Sequence, residues 1–107
     1  MNFHVTLDTA KQKLAGESAK VYTQLLKHGT MQLEYFAPKE KDTQTPHLQD
    51  ELYFIVSGSS DFILEDKVIS CSAGDALFVP AGVVHRFIHF TADFATWVVF
   101  YGKQGGE

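Results

Sequence analysis

The sequence predicts an all-β domain, a sandwich or barrel of short strands with a brief helical segment ahead of it. After residue 20 the chain becomes a series of short runs rich in β-branched and aromatic residues, each closed by turn chemistry. None of these runs keeps a helical period long enough to compete. The aromatic fraction is 13%, with nine Phe, four Tyr and one Trp, a bias that suits pleated surfaces better than helix bundles.

The elements follow in order. Residues 8–15 are a run of fair helix formers with Asp8 placed as N-cap and Gly16 as the stop. A helix of about two turns is marginal alone, so this one must pack on something. Strands are expected at 21–28 and 31–37, joined across Gly29-Thr30 as a tight hairpin. The polar stretch 38–46 reads as a loop. Further strands are expected at 51–57, 60–65, 68–72, 76–79, 84–90 and 94–101. They are separated by Gly58-Ser59, Asp66-Lys67, Ala73-Gly74-Asp75 and Pro80-Ala81-Gly82. No repeat, low-complexity tract or long linker divides the chain. Residues 1–20 form an extension, 21–101 the barrel, and 102–107 a tail expected to fray. With 107 residues the domain buries roughly 65% of its unfolded surface, enough for a core without disulfides.

Charge and apolar patterning exclude several partners. Nine Lys plus Arg against thirteen Asp plus Glu give a net charge of −4, and no basic stripe is available to a phosphate backbone. Nucleic acid is therefore not an expected partner. The longest uninterrupted apolar stretch, 97–101, is far short of the roughly 20 residues that span a bilayer, so no membrane is expected either. The opening Met1-Asn2-Phe3-His4 lacks the basic segment and apolar run of a signal peptide. The single cysteine, Cys71, has no partner for a disulfide within the chain and reads as a small buried hydrophobe. A cytoplasmic location is the expectation.

Of the five histidines, His4 near the terminus and His28 beside the Gly29 turn read as exposed. His47 is more informative. It leads into Leu48-Gln49-Asp50-Glu51, and His47, Gln49, Glu51 and Tyr53 share parity along an extended chain. Four residues of strand span about 13 Å, so His47 and Glu51 share an ion only if the backbone bends around 48–50. Otherwise His47 caps a loop and Glu51 is a solvated residue at a strand start. His85 and His89 lie among β-branched and aromatic neighbours that favour a strand. They point the same way about 13 Å apart, so a single ion takes one of them.

Two segments resemble the paired motifs of the cupin superfamily. The first runs from His47 through three residues to Glu51, then six residues to Gly58. The second is Gly74, five residues, Pro80, Ala81, Gly82, two residues and His85. Fifteen residues, 59–73, separate them, and the resemblance covers about 21–101. Three positions depart from the pattern. Thr45 stands at the first-histidine position, the leading glycine is missing, and His89 stands where the pattern has asparagine.

The resemblance implies an antiparallel jelly-roll β-barrel in which His47, Glu51 and His85 converge as metal ligands, with Gln49 as a neutral oxygen donor in place of the missing histidine. Two imidazoles and a carboxylate form the ligand array of non-haem Fe(II) oxygenases, although Mn, Ni, Zn or Co also suits it. By parity Tyr53, Ile55 and Phe87 line the interior, while Phe62, Phe78 and Trp97 add apolar area, chiefly to the core. His89 and Tyr53 are the candidate catalytic proton donors or acceptors. The resulting expectation is a metal-dependent enzyme, a dioxygenase or isomerase, acting on a small-molecule ligand. The alternative is a non-catalytic binding or sensory module with a degenerate metal site, suggested by Thr45 and His89. A homodimer is expected, with segment 1–20 or strand 21–28 at its interface.

Overall fold

A computed structural model describes residues 3–17 and 20–107. A short helix, α1 (Leu7–Ala15), precedes β1 (Tyr22–His28), β2 (Met31–Phe36), β3 (Asp50–Ser57) and β4 (Ser59–Leu64). The chain continues through β5 (Lys67–Ser72), β6 (Ala76–Val79), β7 (His85–Ile88) and β8 (Ala95–Tyr101). All pairings between these strands are antiparallel. One sheet has the order β1-β2-β8-β3-β6 and the other β5-β4-β7. The expected jelly roll is present as two facing sheets that hydrogen bonds do not close into a cylinder.

Alternation along the strands decides which side chains meet between the sheets. On β3, Glu51, Tyr53 and Ile55 are buried, while Phe54 between them is exposed. On β7, His85 and Phe87 point inward with the same parity. Phe87 is the hub of an aromatic cluster, with ring centroids 5.0 Å from Tyr53, 4.7 Å from Phe62 and 4.8 Å from Phe94. These tilted and edge-on contacts suit the aromatic quadrupole and fill the space between the sheets without polar atoms. Phe62 is therefore core, whereas Phe78 is 49% exposed and lies outside it.

The helix covers the opposite face of the larger sheet. Tyr35 and Phe36 are neighbours on β2 and must point to opposite sides; Phe36 joins the inner core and Tyr35 the outer cluster. There Ala10 of α1 is fully buried against Tyr35 and Ala95, with Leu7, Leu14 and Trp97 around them. Lys13 Nζ donates to the Gln24 carbonyl and ties the helix to β1. Among the described residues no helix is long and apolar enough to cross a membrane.

Local details correct the sequence expectations. The N-cap is Thr6, whose hydroxyl accepts from Thr9 N at 3.1 Å; Asp8 lies inside the first turn, where its charge suits the helix dipole. Gly16 ends the helix in a right-handed conformation, φ −81°, so the stop does not use a left-handed glycine. The strand expected at 84–90 is shorter, because His89 takes φ 54° and leaves extended geometry. The tail does not fray. Gly105 N donates to Leu48 O at 2.7 Å and Glu107 N to Asp50 Oδ2 at 2.9 Å.

Gly58 closes the β3–β4 turn at φ +74°, and a Cβ there would stand 2.8 Å from Phe94 Cα. Gly58→Ala is expected to cost more than about 1 kcal/mol, from strained φ together with a backbone clash, read as a lower urea midpoint. Glu17 Oε1 accepts from the buried Thr23 hydroxyl at 2.6 Å. That hydrogen bond, helped by Lys20, holds the carboxyl below its ordinary 4.5. Its contribution is present above the ordinary value and disappears as pH falls through the lowered one. Denaturation midpoints of the wild type and Glu17→Gln should therefore differ at neutral pH and converge in strong acid.

Candidate metal centre

The cluster joins the two sheets at one end of the sandwich. Glu51 enters from β3 in the larger sheet, and His85 opens β7 in the smaller one. His47 comes from the segment before β3, where the backbone bends at 48–49. That bend is the one the spacing demanded. It brings His47 Nε2 to 3.9 Å from Glu51 Oε1, far less than the about 13 Å of an extended chain. Gly82 N donates to His47 O at 2.8 Å, so the Pro80–Gly82 turn fixes His47 as well as aiming His85. One ligand atom from each of His47, Glu51 and His85 lies within 4.8 Å of the others.

The hydrogen bonding leaves this cluster short of positive charge. Glu51 is fully buried, and among the described residues its carboxylate oxygens have no hydrogen-bond partner besides the neighbouring imidazole nitrogens. His85 Nε2 is 2.8 Å from Glu51 Oε1, but its Nδ1 lies 2.8 Å from Val83 O. A carbonyl only accepts, so Nδ1 carries a proton, and in a neutral ring Nε2 would present a lone pair to Glu51. A cation between them, a second proton or a metal ion, removes this repulsion. Burial lowers the His85 pKa, but Glu51 and the Val83 carbonyl outweigh it and leave the value raised. His47 is shifted the other way: burial dominates over the pull of Glu51 and keeps the ring neutral, the form that binds metals. Its ring also packs edge-on against Phe100, centroids 4.8 Å apart.

Tyr53 stands beside the cluster, with its hydroxyl donating to Gln44 Oε1 at 3.1 Å. Burial and the Glu51 charge push this phenol well above its ordinary value, so it holds its proton at neutral pH and acts as a donor. A cavity of about 950 Å³ opens onto His47, Glu51, Tyr53 and Gln44, with Phe36, Val98 and Phe100 as apolar wall. His85, with no exposed side-chain surface, lies behind them.

Two sequence candidates do not join the cluster. His89 follows the end of β7, its side chain is 76% exposed, and its Nδ1 lies 3.1 Å from Asp61 Oδ2. The parity that linked it to His85 fails where the strand stops. Gln49 donates to Thr30 O at 3.0 Å and Gly102 O at 2.8 Å, bracing the β1–β2 hairpin against the tail. The neutral oxygen at the centre comes instead from Gln44, which the sequence reading missed. Gln44 Oε1 is 3.3 Å from His47 Nε2 and 3.1 Å from His85 Nε2. Asp42, also missed, accepts Gln44 Nε2 at 2.7 Å and Phe87 N at 2.8 Å through Oδ2, and Gln44 N at 3.1 Å through Oδ1. Both lie in an irregular loop, where no periodicity announces which side chains turn inward.

Comparison with known proteins agrees with this frame. Residues 32–101 match the cupin domain family. An uncharacterised protein of Streptomyces coelicolor is 37% identical over 81 residues, covering 74% of this chain and 77% of that protein. Acireductone dioxygenase of Danio rerio is 44% identical over 46 residues, 38% of this chain and 25% of the fish protein. A solved structure of a Photorhabdus luminescens protein superposes with a TM-score of 0.73 at 17% identity, over 96% of this chain and 90% of that one.

Asp42 holds the loop to β7 through the buried Phe87 N–H. Asp42→Ala leaves that donor unpaired, and a loss of about 1–3 kcal/mol is expected in urea denaturation of the metal-free protein.

Proposed function

The chain belongs to the cupin domain family, and from that premise we propose that it is a metal-dependent enzyme, of dioxygenase type, acting on a small oxygen-bearing metabolite. The reading rests on one observation: a fully buried carboxylate, Glu51, whose close polar partners among the described residues are the imidazole nitrogens of His85 at 2.8 Å and His47 at 3.9 Å. Burying a carboxylate costs several kcal/mol, and a divalent cation held by His47, Glu51 and His85 offsets that cost. Two imidazoles and one carboxylate suit the non-haem iron oxygenases, and the local similarity to acireductone dioxygenase favours the same class. The coverage of a quarter of that protein makes its particular substrate no part of the proposal.

When bound, the ion supplies Lewis acidity or oxygen activation. The chain's own residues do the rest. The Val83 carbonyl keeps the His85 lone pair aimed at the centre, and Phe100 fixes the plane of His47. Phe36 and Val98 give the cavity an apolar wall that sheds water around a bound metabolite. The Tyr53 hydroxyl keeps its proton and holds Gln44 in place. We further propose a cytoplasmic homodimer associating through β1, one of the two edge strands of the larger sheet.

Elemental analysis of protein purified without a His-tag should find a stoichiometric divalent ion, lost in His85→Ala and in Glu51→Gln. Oxygen uptake with a pooled metabolite extract should follow the metal content. An unchanged ion content in both variants overturns the ligand assignment. A loaded protein that turns over nothing overturns the enzyme reading in favour of a binding module.

A further inference from the structure

We propose that Gln44 is a fourth donor at this centre, its amide oxygen completing the set of His47, Glu51 and His85, with Asp42 as its positioning residue. The proposal rests on the metal reading above and adds a residue to it. The orientation of the Gln44 amide is set by chemistry. Its Nε2 lies 2.7 Å from Asp42 Oδ2, and a carboxylate only accepts, so the amide nitrogen must face Asp42. The atom turned toward the cluster is then the oxygen. Asp42 is itself buried and accepts Phe87 N at 2.8 Å, which places the arm relative to β7, the strand that begins with His85.

Three polar side chains converge on that oxygen. Tyr53 brings one proton, at 3.1 Å. His85 donates its Nδ1–H to Val83 O and turns Nε2 toward both Gln44 Oε1 at 3.1 Å and Glu51 Oε1 at 2.8 Å. His47 Nε2 adds a further ring nitrogen 3.3 Å from the amide oxygen. Adjacent donors around one ion with bonds of about 2.0–2.2 Å are about 2.8–3.6 Å apart, whether the arrangement is octahedral or tetrahedral. The separations of 2.8, 3.1 and 3.3 Å fall in that range and suit ligands of a common cation, while His47 Nε2 and Glu51 Oε1, 3.9 Å apart, stand wider than adjacent donors. Asp42 plays the part of an outer partner that orients a ligand, a role commonly seen at metal sites.

A carbonyl-type oxygen in place of another imidazole moves the site toward harder ions such as Mn²⁺ relative to Zn²⁺. The test is a Mn²⁺ titration of metal-stripped full-length protein, with free Mn²⁺ read by electron paramagnetic resonance, alongside a Zn²⁺ competition. Gln44→Leu should weaken Mn²⁺ binding at least tenfold, roughly the loss seen when even an outer partner is removed, and weaken Zn²⁺ binding less. The melting temperature of the metal-free protein should also fall, because Tyr53 and Asp42 lose a partner; the greater loss for Mn²⁺ than for Zn²⁺ is the result that a purely structural role would not give. Gln44→Ala serves the same comparison if leucine does not fit the loop. Unchanged Mn²⁺ affinity in the Gln44 variants, with binding abolished in Glu51→Gln, overturns this assignment and leaves the three-ligand reading intact. A shift confined to the melting temperature also overturns it. No Mn²⁺ or Zn²⁺ binding by the wild type overturns both.

Discussion

The arrangement depends on a carboxylate placed where water cannot reach it. Glu51 sits on an inward-facing position of a central strand, fully buried, with imidazole nitrogens as the close polar partners of its oxygens among the described residues. A neutral or apolar residue at that position would spare the fold several kcal/mol of desolvation. The neighbouring structure is built around this group. The bend at 48–49 turns His47 back toward it, the Pro80–Gly82 turn pins His47 and introduces β7, and the Val83 carbonyl turns the His85 lone pair onto it. These devices come from both sheets, so the site is also where the two halves of the sandwich meet away from their aromatic core.

Two kinds of order hold the protein together, and they adjoin where the His85 ring meets Tyr53 and Phe62. The Phe62–Phe87–Phe94 cluster with Tyr53 is apolar packing that any residues of suitable volume and shape supply. The polar end is less forgiving. Asp42, Gln44, His47, Glu51, Tyr53 and His85 are linked by directed contacts, and each member limits the protonation or orientation of the next. Phe87 and Tyr53 belong to both: Phe87 packs in the core while its backbone N–H binds Asp42, and Tyr53 packs its ring there while its hydroxyl reaches Gln44. The polar end is therefore registered to the rigid part of the molecule.

Much of this was legible in the sequence where regular geometry applies. The alternation of Glu51, Tyr53 and Ile55, and of His85 and Phe87, placed these side chains on the inner faces because strand parity is a property of extended backbone. Gly58, Gly74 and Gly82 marked turns at positive φ, as the structure has them. Strand length made a bend between His47 and Glu51 the condition for the two to share an ion, and the chain bends at 48–49. Legibility ended where regular geometry ended. His89 was grouped with His85 by a parity that stops at Ile88, and its φ of 54° sends it to the surface. A glutamine was sought near the site at Gln49, but the oxygen arrives from Gln44, in a loop whose path depends on the distant β7 through Asp42. The tail was read as loose because glycines dominate it, whereas its order comes from the carbonyl of Leu48 and the carboxylate of Asp50, far away in sequence.

The single tryptophan has a practical bearing. Trp97 lies on the outer face of the larger sheet beneath α1, edge-on to Tyr35 with centroids 5.7 Å apart, and is turned away from the cavity. Intrinsic fluorescence excited at the indole band therefore reports whether the helix stays seated on the sheet. A flat emission signal during a ligand titration says nothing about the occupancy of the pocket on the other side.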